Sequence, residues 1–447
     1  MHYDEAIHDT RTPAPSYWEA TAGHLRPEAA PLEADTSCDV AIIGGGFTGL
    51  SAALHLARDH GIDVCLLEAG ALAAGASGRN GGLCVVGASK LSRRQMIRRY
   101  GLAATRAFHA EQVAGIDLVR HLCSDEGIAC DHGGAGHFEV AHKPGRLREL
   151  RTEARELGEH FGTRTEVYGP EEFTAIGHGG TEQFGALWSE HGLALHPLKF
   201  ALGLAAAARR HGARLHDYSR VLAWHRDGRT HLLHTAGARL RAQRVIVATN
   251  GYYPEGLTEA LDQRCLPVIS NIITTRPLTP AEQAAQPFHT HAPLSNTRNL
   301  LFYYRLLPDG SFLFGARGDM RGSPQAGQRM RAWLERRLGE VFPAWRGVET
   351  THFWRGLIAL TRDRVPAAGA LEGDPSVWYG FGYHGNGVNT ATLTGQRLAR
   401  LIAGVAAPRD ALSDIMRGLP ARLPPAALQP SLLRLAYAAL GLRDRLP

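Results

Sequence analysis

The run CDVAIIGGGFTGLSAALHLARDHGIDVCLLEAG, residues 38 to 70, constrains the fold more than any other stretch of the chain. Val40, Ala41, Ile42 and Ile43 form a continuous apolar run, as a parallel strand buried on both faces requires. Gly44, Gly46 and Gly49 follow at once and open the helical pattern LSAALHLARDHG, after which IDVCLLEAG reads as a second strand ending at Glu68. In such a βαβ unit Gly44 allows the tight turn, Gly46 lets the backbone approach a pyrophosphate, and Gly49 lets helix and strand pack closely. The helix N-terminus supplies free N–H donors and the positive end of a dipole. Glu68 stands where a carboxylate can accept both hydroxyls of an unphosphorylated ribose. A lone GxGxxG carries little information, but between two strands it predicts a dinucleotide site.

With 447 residues the chain has room for about three average domains. Hydrophobic residues at 44% and charged residues at 21% are usual for a globular protein. The formal charge of +6 is dispersed among acidic neighbours, which argues against a nucleic-acid partner. Nearly all of the positive charge is Arg, with Lys only at 90, 143 and 199. The six cysteines show no CxxC pair, and the 23 histidines show no ligand cluster of recognised spacing, so no metal site is expected. Free thiols, no signal-like leader and no apolar run of eighteen residues predict a cytoplasmic protein without a membrane span.

The segments predict an α/β plus α+β, bilobal fold in which a Rossmann-type domain is interleaved with a β-sheet substrate domain. Residues 1–35 read as an extended arm that packs Tyr17 and Trp18 onto the body. Residues 36–90, 195–265 and 352–415 are assigned to the nucleotide domain, 91–194 and 266–351 to the substrate domain, and 416–447 to a C-terminal tail. Helical patterns run from Ser92 to about Asp125 and from Pro144 to His160, and FYYRLLPDGSFLFGARG reads as a hairpin about Pro308, Asp309 and Gly310.

Two further segments bear on which dinucleotide binds. GASGRNGG, residues 75–82, sets Ser77 and Asn80 among small residues, so that its backbone can lie against a flat ring system. RVIVATNG, residues 244–251, is an apolar strand ending in small polar residues. Together with GYHGNGVN, residues 382–389, they resemble the FAD-dependent D-amino-acid oxidase superfamily, most closely its gamma-glutamylputrescine oxidoreductase-like branch. The resemblance extends from Tyr17 and Trp18 through WRGLIALTRDRVPAAG to the tail segment LRLAYAALGLRDRL.

The resemblance implies FAD, held without a covalent bond because GASGRNGG lacks the His that some relatives use and no Cys follows Cys265. It implies that Gly44, Gly46, Thr48 and Gly49 hold the pyrophosphate, Glu68 the ribose, and Val221 the adenine through its backbone. Ser77, Asn80, Gly81 and Gly82 would line the flavin, with Phe47, Ala69, Leu83, Ala248, Thr249 and Asn250 as further contacts. Gly385, Asn386, Gly387 and Val388 would present a helix N-terminus to the N1 and C2 carbonyl side of the ring. The chain departs from its apparent relatives there: His384 precedes the middle glycine, Asn386 stands where a His is common, and Asn389 replaces a basic residue. A His at that place predicts coupling of reduction to protonation near neutral pH.

The activity implied is removal of a hydride from the carbon beside an amine nitrogen of a small amine or amino acid, giving an imine, with oxygen as acceptor and hydrogen peroxide as product. The alternatives are a dehydrogenase passing electrons to a quinone or carrier protein, and a non-catalytic flavin-binding subunit. Tyr304, Arg305, Trp354 and His384 are the candidate catalytic residues, with Tyr303, Thr361 and Arg362 beside them. Aromatic faces can hold an amine, and Arg can bind a carboxylate with two parallel hydrogen bonds.

Overall fold

The computed structural model describes residues 3–425 and 427–445. The apolar run from Val40 forms the buried end of the strand Thr36–Ile43, the glycines open the helix Phe47–His60, and the strand Val64–Leu67 returns parallel with Ile43 opposite Leu67. Arg239–Val247 pairs on the other side, also parallel, and Asp374–Phe381 continues the sheet beyond it. Ala367–Leu371 and Arg214–His216 form the two edges. Helices Phe47–His60, Pro197–Arg210 and Gly387–Ile402 contribute Leu50, Leu54, Ala201, Leu204 and Leu398 to the same core as Val40 and Ile42. The carboxyl ends of Thr36–Ile43, Val64–Leu67 and Arg239–Val247 therefore open at one edge, where ligands of such sheets bind.

A second, mixed sheet runs Thr350–Leu360, Leu266–Pro277, Ser311–Arg317, Phe302–Leu306, Leu294–Asn296, His137–Val140, Ala186–Ser189 and Thr165–Tyr168. Side chains alternate across it. Phe138, Val140, Leu294, Phe302, Tyr304, Phe312 and Phe314 enter a core with Leu334 and Phe342, while His137, Glu139, Ser295, Tyr303 and Arg317 take the opposite face. Register places Gly315, Tyr303, Ser295 and Glu139 in one row across four strands.

Three expectations need correction. The arm is not extended throughout: Tyr17–Ala22 is helical, started by Ser16, whose hydroxyl accepts the Glu19 N–H at 3.1 Å. Residues 352–415 do not all belong with the nucleotide sheet, because Thr350–Leu360 pairs along its length with Leu266–Pro277. The long helix Arg93–Asp125 is interrupted at Gly101, whose φ of 82° no helix accommodates.

Candidate functional site

A cavity of about 690 Å³ is lined on one side by the open edge of the parallel sheet and on the other by the polar face of the mixed sheet. Every expected cofactor contact lines it except Gly49 and Gly82. Those two act one step back. A Cβ on Gly49 would lie 2.0 Å from the Gly44 carbonyl oxygen, so the glycine lets the helix close onto the strand. Gly82 shapes its loop by donating its N–H to Asn80 Oδ1 at 2.8 Å and accepting from Leu195 N–H at 2.9 Å.

The loop at 75–82 is held from several directions. Asn80 Nδ2 donates to the Ser77 and Ala76 carbonyls at 2.8 and 3.1 Å, and Ser77 Oγ accepts the Phe47 N–H at 2.9 Å. Two indoles fasten it from outside: Trp18 Nε1–H donates to the Asn80 carbonyl and Trp354 Nε1–H to the Arg79 carbonyl, each at 2.8 Å. The Glu68 carboxylate accepts the N–H groups of Gly45 and Gly70 at 2.6 and 3.0 Å, although burial raises its pKa. This arrangement fits the nucleotide half of FAD, since it joins a helix N-terminus to a carboxylate set in backbone donors.

At the other end the cavity meets Tyr303, expected beside the site, and two residues that no motif announced, Arg317 and Lys90. Tyr303 packs its ring against the loop, 2.9 Å from the place of a Cβ on Gly81, and its hydroxyl pairs with Ser270 Oγ at 2.8 Å. Arg317 places Nη2 3.8 Å from the corresponding place on Gly385, and Lys90 enters from the segment after the strand Leu83–Val85. Neither cationic side chain makes a hydrogen bond or ion pair with another described residue. Burial lowers both pKa values, that of Lys90 strongly, with Arg317 adding to the effect. Asn386 Nδ2 ties the helix start to the Lys90 segment by donating to the Gly87 carbonyl at 2.6 Å.

Of the four expected catalytic residues only His384 lines the cavity. It is fully buried, its Nε2 lies 3.2 Å from Thr361 Oγ1, and burial followed by Lys90 pushes its pKa down to about 3. With the ring held this low, His384 is neutral between pH 6 and 8 in the absence of an anion beside it. Thr361 lies behind it, bonded to the Val365 carbonyl at 2.7 Å, and Arg362 is directed to the Arg422 carbonyl at 3.1 Å.

Tyr304, Arg305 and Trp354 stand elsewhere. Arg305 donates to the Leu195 carbonyl at 2.6 Å and lies 5.5 Å from the Trp18 ring centre, and Trp354 fastens the 75–82 loop. Tyr304 enters the core beside Phe314 and Phe342, with its hydroxyl 3.0 Å from His178 Nε2. Tyr304→Phe should therefore cost about 1 kcal/mol of stability while leaving the flavin spectrum and steady-state kinetics unchanged. Urea unfolding and a substrate titration check this, and a kinetic defect at full stability would return Tyr304 to the site. Among the described residues no group of His, Cys, Asp and Glu could hold a metal ion, and no helix is long and apolar enough to cross a membrane.

The family model described as FAD dependent oxidoreductase, DAO, matches residues 39–401. The gamma-glutamylputrescine oxidoreductase of Escherichia coli strain K12 is 32% identical over 400 residues, covering 90% of this chain and 91% of that protein. The probable oxidoreductase OrdL of Rhizobium meliloti strain 1021 is 28% identical, covering 97% of this chain and 98% of that protein. Among solved structures, glycine oxidase from Geobacillus kaustophilus superposes with a TM-score of 0.68 at 22% identity, covering 83% of this chain and 96% of that one. The match spans both sheets and the cavity between them, and the chain belongs to the DAO family of FAD-dependent oxidoreductases.

Proposed function

We propose that the protein binds FAD without a covalent bond and oxidises the CH–NH bond of an amine or amino acid to an imine, with oxygen as acceptor and hydrogen peroxide as product. The observation that carries this reading is the continuity of one cavity from a nucleotide cradle at Gly46 and Glu68 to a polar sheet face at Tyr303, Ser270 and Arg317. The names of the gamma-glutamylputrescine oxidoreductase and the glycine oxidase support an amine or amino acid as substrate. No cysteine lines the cavity among the described residues, in keeping with a non-covalent cofactor.

In this reading the helix start at Gly46, Phe47 and Thr48 takes the pyrophosphate, Glu68 the ribose and Val221 the adenine. The segments 75–83 and 385–388 take the flavin, which supplies the hydride acceptor. The remaining work belongs to the chain. Tyr303, fixed between Ser270 and Gly81, forms an aromatic wall against which the amine is positioned. Lys90 and Arg317 are two half-buried basic groups with no counter-charge among the described residues, and an anion close by would favour their charged forms. Their place beside Gly385 suits the side of the flavin that becomes negative on reduction. They deliver from two other elements the positive charge that Asn389 does not supply.

Replacing either Lys90 or Arg317 with Met should weaken the sulfite adduct of the oxidised holoenzyme by about tenfold or more, because that adduct is anionic. Unchanged sulfite affinity in both variants would assign the charges to another task. The activity itself is tested by anaerobic addition of amines and amino acids: bleaching of the yellow colour supports the substrate class, and no bleaching by any of them overturns it. Peroxide formed on admitting air supports oxygen as acceptor. Its absence in an enzyme that bleaches would assign the electrons to a quinone or carrier protein.

A further inference from the structure

The strand His137–Val140 lies on the cavity side of the mixed sheet with His137 and Glu139, while Phe138 and Val140 enter the core. In the row Gly315, Tyr303, Ser295, Glu139, three inter-strand steps separate the first residue from the last, about 14 Å at ordinary strand spacing. Arg317 is two residues from Gly315, so the cavity has a positive end beside Gly385 and an acidic residue far from it along the same sheet face.

Glu139 makes no hydrogen bond or ion pair with another described residue through its side chain. The cations around it are engaged already: Arg93 with Glu153, Arg146 with Glu149, and Arg298 with Glu182. His137 pairs with Ser295 Oγ at 3.0 Å, and burial pushes its pKa down to about 4, so it is neutral. Burial and then the neighbouring Glu153 push Glu139 up to about 8. A half-buried carboxyl that lines a cavity without a partner among the described residues gains most from a cationic ligand, which would restore its charge and satisfy its oxygens.

We propose that Glu139 sets substrate specificity by binding a second positive charge, an ammonium at the far end of an extended chain whose reacting amine lies near Tyr303 and Gly385. This rests on the amine-oxidising reading of the same cavity. The positive end at Lys90 and Arg317 repels that second charge, so the two ends of the cavity fix the direction in which such a substrate lies.

Calorimetric titration of the holoenzyme with 1,8-diaminooctane and with octylamine, which differ only in the terminal ammonium, tests the proposal. The diamine should bind at least about tenfold tighter. Glu139→Gln should bring the two within about twofold, through loss of diamine affinity alone, while keeping the visible flavin spectrum. The short pair 1,4-diaminobutane and butylamine, titrated into the unaltered protein, should show no such preference because the diamine cannot reach. Equal affinity for the long pair in the unaltered protein, or a preference that survives in the Gln variant, overturns the proposal. Flavin bleaching is read separately: diamine preference without bleaching keeps Glu139 as a cation site and overturns the substrate reading, and bleaching without preference does the reverse.

Discussion

Lowering the pH from 6.5 towards 4.5 should destabilise this protein steeply, because buried histidines, His55, His178, His196 and His384 among them, are held neutral. Burial pushes His55 down to about 4 and His178, His196 and His384 down to about 3. Each ring is fixed by a hydrogen bond inside the core: His55 Nδ1 lies 2.7 Å from the Ser51 carbonyl, His196 Nε2 2.9 Å from Thr21 Oγ1, His178 Nε2 3.0 Å from Tyr304 Oη and His384 Nε2 3.2 Å from Thr361 Oγ1. Between those depressed values and about 6.5 the unfolded chain binds protons that the folded chain refuses. The stability is therefore fully present above about pH 6.5 and is lost as pH falls. Each His contributes up to about 1.4 kcal/mol per pH unit, and the four together on the order of 5 kcal/mol per unit. Against a total of about 5–15 kcal/mol, one to three units suffice to unfold the chain. Thermal unfolding from pH 7.5 to 4.5 measures this, and a flat profile below pH 6 would show that the histidines accept protons without penalty.

Gly46→Val should lower bound FAD at least about tenfold in a protein that still folds. Gly46 has φ −92° and ψ −173°, an extended conformation open to any residue, so the substitution strains no backbone. The added side chain meets Ser77 Oγ at 2.9 Å from its Cβ and projects into the cradle, where it also disturbs the hydroxyl that receives the Phe47 N–H. Absorbance at 450 nm per protein, together with far-ultraviolet circular dichroism, separates the two effects. Full flavin content with native secondary structure would remove the pyrophosphate from Gly46.

The nucleotide cradle was legible because all of its determinants are local. Val40 to Glu68 carries strand, turn, helix and strand in one run, and the relevant side chains follow from period and spacing alone. The opposite wall was not, since strand parity depends on which neighbours pair. Tyr303 and Tyr304 are adjacent in FYYRL, and a pattern of alternating aromatics fits either face; pairing of Tyr303 with Gly315, a residue without a side chain, leaves room for its ring on the cavity side. Lys90 and Arg317 come from a loop and a distant hairpin, so no spacing connects them. Lys stands at only three positions in a chain otherwise basic through Arg, and nothing in that scarcity separates Lys90 from Lys143 and Lys199. His384, expected as a catalytic residue, lines the cavity, but its burial, and hence its charge, depends on Thr361, Lys90 and Arg317 arriving from elsewhere.

The two indoles that grip the 75–82 loop come from Trp18 near the start of the chain and Trp354 in its last quarter. During synthesis the loop leaves the ribosome early, yet its shape is not complete until some 270 further residues have followed, as the Trp354 to Arg79 separation of 275 positions requires. Residues 382–388, which close the far end of the cavity, emerge later still. A nascent chain thus carries its glycine-rich cradle without a finished pocket around it until residues 382–388 have emerged, and the full set of cofactor contacts forms only then.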